Sequence, residues 1–395
     1  MNILLTLILA GLTMVGPLAI DTYLPSFPAI AQAFNASPLL VQQTLSAYLF
    51  TFAFMMLFYG TLSDSFGRRP VILASLFVYI AASLGAASAP SFGWLLACRV
   101  LQGLAAGAGS VVGRAIVQDR FSGAEAQKIL SHIMMVFGLA PAIAPVLGGW
   151  LQVALGWRSI FGFLAAFGIL MFAVVYRFLP ESLPVAERHP FCLGTIAANY
   201  KSVLRHRQFL LLSMAIGMTF GGFALYIGSA AYFVINILHL RETAFGWLFI
   251  PLISGMMIGS ALAGKFAHRY AQTRLIGIGY ALMSLAAVAN IAYNACFVAA
   301  VPWAVLPLFL YSFALAIAMP PMTLIALNHF PKHRGLASSM QSFIQMLLFA
   351  LISGLVAPLL FDSALKLAYG VMAGLTLSLI CALLSQSGKR AVAAA

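Results

Sequence analysis

The sequence predicts an all-α membrane protein of twelve transmembrane helices in two six-helix bundles. Three observations carry that expectation. Hydrophobic residues fill 63% of the 395 positions and charged residues only 7%, against about 45–50% and roughly 25% in soluble domains. Apolar runs long enough to cross ~30 Å of hydrocarbon, about 20 residues each, occur twelve times. The longest polar stretch, Pro180–Gln208, leaves six runs on either side. The expected domains are therefore an N-terminal bundle over 1–180, a cytoplasmic linker over 181–207 and a C-terminal bundle over 208–395. Runs this long and uniform are helices, because barrel strands are shorter and alternate in polarity.

Loop charges set the orientation. With the N-terminus inside, Arg68, Arg69, Arg120, Lys128, Arg188, Lys201, Arg205, Lys265, Arg269, Lys389 and Arg390 all fall on the cytoplasmic side, and only Arg158, Arg241 and Lys366 fall opposite. This bias places both termini in the cytoplasm. It also explains the net charge of +13 without nucleic acid as a partner. The four cysteines lack CxxC spacing, so neither a disulfide framework nor a zinc site is expected. The first ~20 residues lack the basic start and the small-residue cleavage site of a signal peptide, so they read as a retained span.

Span one (3–30) carries Asp21, the only one of the 8 acids well inside a span. An embedded carboxylate is costly and marks an ion or proton pathway. Pro25 has no N–H to offer the Asp21 carbonyl, and Pro17 likewise frees Thr13. Such irregular backbone is tolerated where it lines a cavity or is buried in protein. Span two (39–62) meets span three (70–90) at Gly60-Thr-Leu-Ser-Asp64-Ser-Phe-Gly67-Arg68-Arg69-Pro70. Here two glycines permit a tight turn, the arginines anchor the loop in the cytoplasm, and Asp64 ends the helix. Span four (92–117) holds Arg99 about seven residues in, roughly 10 Å deep at 1.5 Å per residue. By the same rise Asp21 lies roughly 13 Å deep, so the two charges share one level, with Gln102 one turn from Arg99. Gly103, Gly107, Gly109 and Gly113 continue the span as a close-packing stripe. Span five (129–153) contains Pro141, Pro145, Gly148 and Gly149, a pattern that bends a helix, and span six covers 158–179.

The second half supplies spans at 208–236, 244–264, 274–297, 301–327, 335–360 and 365–385, with no embedded acid. Leu49, Phe50 and Gly60 recur 199 positions later as Leu248, Phe249 and Gly259, a weak echo of a duplicated half. Gly259–Phe266 nearly spells a phosphate-binding loop, but Phe266 stands where the Mg²⁺-binding Ser or Thr belongs. Neither a cofactor motif nor a nucleophile–base or metal constellation of an enzyme is present.

The Gly60–Pro70 loop resembles the G-x-L-x-D-x-x-G-R-R signature of the major facilitator superfamily, and Arg99-Val-Leu-Gln102-Gly103 resembles that family's R-x-x-q-G motif. Asp21-Thr-Tyr-Leu-Pro25, and Gly138–Gly149 with Ala144 in place of the first Gly of G-P-x-x-G-G, resemble the Bcr/CflA branch of drug:proton antiporters. The resemblance implies two bundles around a central cavity that opens alternately to either side. It implies proton-coupled export of lipophilic antibiotics or cations by a monomer in the bacterial inner membrane. Proton coupling is expected at Asp21 and Arg99. Tyr23, Tyr48, Gln102, Tyr226 and Tyr232 are the candidates for the substrate cavity. Conformational gating is expected of Gly60, Asp64, Gly67, Arg68, Arg69, Arg114, Pro141, Pro145, Gly148 and Gly149. Asp64 is expected to face the start of span eleven, or Arg114. Carriage of a sugar, amino acid or organic acid by the same fold is the alternative, and a non-transport membrane protein a more distant one.

Overall fold

The computed structural model describes residues 3–121, 123–188, 193–266, 269–330 and 334–393. Among them, twelve helical spans are long and apolar enough to cross a membrane. The chain forms two compact units, Met1–Leu193 and Gly194–Ala395. Residues 181–188 thus belong with the first unit, while the stretch expected as linker includes helix α9 (Leu193–Leu204).

In the first unit the helices are α1 (Ile3–Asp21), α2 (Phe27–Ala33), α3 (Pro38–Phe66), α4 (Arg68–Ala87), α5 (Phe92–Ala106), α6 (Ala108–Arg120), α7 (Gly123–Leu155) and α8 (Arg158–Phe178). Their ends follow local chemistry. Ser37 and Ser91 accept the backbone N–H of Leu40 and Trp94, capping α3 and α5. Gly67, at φ 97°, lets α4 start directly after α3. Two spans are interrupted: the first after Asp21, the fourth at Gly107. α1 packs on α7, α3 on α5, and α4 on both α5 and α8. Backbones approach closely where glycines lie: a Cβ on Gly109 would stand 2.3 Å from the Leu12 carbonyl oxygen, and one on Gly103 the same distance from that of Tyr48. The glycine stripe of span four is therefore a packing face.

The second unit comprises α9, α10 (Arg207–Gly228), α11 (Ala230–Tyr232), α12 (Gly246–Phe266), α13 (Gln272–Cys296), α14 (Leu306–Leu327), α15 (Arg334–Leu351), α16 (Ala357–Leu360) and α17 (Ala364–Ala393). Span ten starts at Leu306 rather than 301, because Pro307 sets the first helical turn. Spans seven and eleven are not uniform helices. Each relaxes into a π-helical turn, Phe233–Ile237 and Ile352–Val356, a feature frequent at functional sites. Gly228 and Gly221 of α10 pack against Ser353 and Ile352 of the second turn. Gly259 packs on the Phe313 carbonyl of α14, whereas Gly60 has open space around it, so the two echoed glycines do different work.

Candidate functional site

The break in span one is built around Asp21. α1 ends on it, and a 3-10 turn, Leu24–Ser26, follows before α2 resumes. Pro25 cannot donate to the Asp21 carbonyl, so the α-helical ladder stops there. Thr22 donates its backbone N–H and its hydroxyl to the Leu18 carbonyl, the latter at 2.6 Å. α7 braces the broken segment. A Cβ on Gly148 would stand 2.1 Å from the Thr22 carbonyl oxygen, and one turn later Gln152 accepts the Ser26 hydroxyl at 2.9 Å. Gly149 and Pro145 are buried nearby in sequence, and Pro141 is half-buried. Asp21 itself is 3% exposed, and its Oδ1 has no hydrogen-bond partner.

Arg99 of α5 is fully buried, so it does not reach a membrane surface. Asp21 and Arg99, expected to share one level, form no ion pair with each other among the described residues. The reason is competition from nearer groups. Arg99 Nη1 donates to the Ala19 carbonyl at 3.1 Å and to Gln102 Oε1 at 2.9 Å. The rings of Tyr23 and Tyr48 lie 4.5 and 4.4 Å from its Cζ, each a cation–π contact of about 2 kcal/mol when desolvated. Gln102 Nε2 in turn donates to Ser83 Oγ at 2.8 Å, and Ser83 donates to the Tyr79 carbonyl at 2.7 Å. Arg99 Nε and Nη2 are left without partners.

This corrects the cavity assignment in the first unit. Tyr23, Tyr48 and Gln102 have no exposed surface; they enclose a guanidinium rather than line an open wall. The Tyr23 hydroxyl is bonded to Thr44 at 2.7 Å and that of Tyr48 donates to the Gly16 carbonyl at 3.1 Å. Tyr226 is likewise buried, accepting from Asn290 at 2.9 Å. Tyr232 is half-buried against the Phe361 ring at 4.6 Å.

A second cluster lies at the α3–α4 junction. Arg68 is 7% exposed and pairs with Asp64, with Ser63 Oγ at 2.7 Å and with Asp119 at 3.0 Å. It is a buried guanidinium held between two part-exposed carboxylates, not a freely solvated anchor. Glu181 accepts the backbone N–H groups of Arg68 and Arg69 at 3.0 and 3.2 Å, so a carboxylate caps α4. Arg69 donates to the Tyr176 carbonyl at 2.6 Å. Arg114 instead turns back to the Ser110 carbonyl at 3.0 Å and is exposed, so it is not the partner of Asp64 within this unit. Of the two motif glycines only Gly67 is sterically required. Its φ is positive, and a Cβ there would meet Glu181 at 2.6 Å. Sequence reasoning missed Asp119 and Glu181. Nothing local signalled them, since Asp119 and Glu181 lie 51 and 113 positions from Arg68.

Comparison with known proteins places this architecture. The Major Facilitator Superfamily model matches residues 9–353, and the chain belongs to that family. It is a multi-pass membrane protein. It is 30% identical to the bicyclomycin resistance protein homolog of Haemophilus influenzae, covering 95% of this chain and 94% of that protein. It is 27% identical to the multidrug transporter MdfA of Yersinia pestis, covering 85% and 81%. The fold matches the human organic anion transporter MFSD10 with a TM-score of 0.70 at 19% identity, covering 97% and 99%.

Proposed function

We propose that this chain exports lipophilic antibiotics or cations in exchange for protons, by alternating access, with Asp21 as the proton-carrying group and Arg99 as its fixed countercharge. The observation that carries this reading is a buried carboxyl with a free oxygen, set at a helix break two residues after the Ala19 carbonyl that binds the enclosed Arg99 guanidinium. The names of its relatives, a bicyclomycin resistance homolog and a multidrug transporter, support the substrate class. The protein acts as a carrier, needs no cofactor, works as a monomer in the inner membrane and keeps both termini in the cytoplasm.

Burial favours the neutral acid, and a nearby cation favours the carboxylate. A motion that shifts α1 relative to α5 changes the weight of both effects. Asp21 then takes a proton from one side and releases it to the other, where drug binding favours the ionised form. Each charge moved down the membrane potential supplies about 2.3 kcal/mol per 100 mV, enough to bias the alternation. The motif cluster of Asp64, Gly67, Arg68 and Arg69 and the α7 glycines and prolines govern the conformational exchange.

The test is a drug-susceptibility panel in cells expressing wild type or Asp21→Asn, with and without a proton uncoupler. The variant is expected to reach the membrane and confer no resistance. Full resistance in its presence would remove Asp21 from coupling.

A further inference from the structure

Away from the buried charges, the first unit carries a groove of about 520 Å³ between α3 and α4. Its α4 wall is a stripe at every fourth residue, Pro70, Ala74 and Val78, all of them exposed. Its α3 wall runs from Met55 to Phe66, and Leu104 and Ala105 of α5 form the floor. α5 packs on both α3 and α4, which touch each other less, so a furrow is left in front of it.

The chemistry of the groove is hydrocarbon. No charged residue lines it. The two polar side chains on its walls are turned to the backbone: Tyr59 donates to the Leu104 carbonyl, and Ser75 to those of Val71 and Ile72 at 3.0 Å. No lining residue has a buried side-chain polar atom without a partner. A bound water needs two to four polar partners, so water gains nothing here. An empty groove forfeits dispersion contacts along three helices. The polar groups of a drug or a peptide would be buried without partners.

Place and length identify which hydrocarbon fits. The groove is continuous with the apolar outer surface of a multi-pass membrane protein: Phe66 and Val78 are exposed at its two ends, and Phe77 beside it. From Met55 to Phe66 the α3 wall covers about 16 Å at 1.5 Å per residue. One leaflet of a ~30 Å hydrocarbon core is about 15 Å deep. The groove begins beside the Gly67 turn, where α3 ends and α4 starts, so it lies within a single leaflet.

We propose that this groove is a lipid site, holding one acyl chain of a membrane phospholipid from the leaflet on the side of the Gly67 turn. The chain lies between the α3 and α4 walls, over α5. Retention comes from fit to three helices, because the bilayer is as apolar as the groove. Chain length therefore governs binding, and the headgroup does not. A lipid bound to the folded protein raises its thermal midpoint. The inference stands whether or not Asp21 carries the proton.

The experiment is native mass spectrometry of the full chain, delipidated and then given phosphatidylethanolamine or phosphatidylglycerol with hexadecanoyl or octanoyl chains. Wild type is expected to keep one long-chain phospholipid through detergent removal, whichever headgroup it carries, and no octanoyl lipid. Ala74→Phe fills the groove from α4 and Leu62→Trp fills it from α3. Each is expected to lose that adduct, and its thermal midpoint no longer rises when long-chain lipid is added. Ala166→Phe, at an exposed position of α8 outside the groove, keeps both. Retention as in wild type by the folded groove variants overturns the proposal. So does a wild type without the adduct, or retention that follows the headgroup and ignores chain length. A lipophilic drug that displaces the lipid from wild type and fails to bind Ala74→Phe also overturns it, and makes the groove a drug subsite. Should neither groove variant fold, the chain-length comparison on wild type decides.

Discussion

Replacing Gln102 by leucine distinguishes a drug contact from a tether. In the structure Gln102 is fully buried, accepts from Arg99 at 2.9 Å and donates to Ser83 at 2.8 Å. A hydrogen bond to a charged group contributes about 1.5–3 kcal/mol and a neutral one about 0.5–1.5. Leucine has similar bulk and is apolar, which offsets part of the loss. The expected destabilisation is therefore about 2–4 kcal/mol. It is read as a fall in thermal midpoint of the detergent-solubilised protein, with drug Kd in the folded fraction changed less than threefold. Ser83→Ala should cost less in the Gln102→Leu background than alone, because the Gln102 bond is already gone and only the bond to the Tyr79 carbonyl remains to be lost. An unchanged thermal midpoint with weakened binding of several drugs would refute this reasoning and restore Gln102 to a cavity wall.

Two further expectations concern backbone and pH. Gly67→Ala forces a side chain into a positive φ and against Glu181, so folded yield measured by size-exclusion should fall sharply; Gly60→Ala, with open space around it, should be neutral or stabilising by up to ~1 kcal/mol through helix propensity. His206 accepts the Phe209 N–H at 3.2 Å through a neutral Nδ1. Burial first, then His329, hold its pKa below the usual value of 6.5. A lowered folded pKa means the unfolded chain binds more protons, so this contribution is complete above pH 6.5 and is lost as pH falls through the folded value. Thermal midpoints from pH 8 to 5 should therefore decline, and His206→Ser, which caps without titrating, should decline less.

The spans were legible because membrane insertion imposes a length and polarity rule on each segment separately. Asp21 and Arg99 stood out for the same reason: each violates that rule within its own span. What the sequence withheld was pairing. Asp21 and Arg99 share a level, yet the Ala19 carbonyl, Gln102 and two tyrosine rings take the guanidinium first, and such competition is set by helix packing. Arg68 read as a cytoplasmic anchor because a loop arginine next to apolar runs normally is one; Asp119, 51 positions away, buries it. The interruptions of spans seven and eleven were equally hidden, since π-helical turns need no proline.

The two units also differ in the chemistry they bury. The first holds Asp21, Arg68 and Arg99 below 9% exposure, whereas no charged residue of the second is buried among those described. The buried polar side chains described there are neutral, and one cluster bonds across four helices. Ser378 Oγ meets the hydroxyls of Thr219 and Tyr280 at 2.5 and 2.6 Å, and Tyr311 donates to the Thr219 carbonyl at 2.7 Å, joining α10, α13, α14 and α17. Satisfied neutral networks fix one packing arrangement. A buried charge with free valences instead has interactions to gain from any rearrangement that supplies a partner. Under the proposed function a proton would act on the first unit at Asp21, while the hydroxyl network ties α10, α13, α14 and α17 of the second unit together.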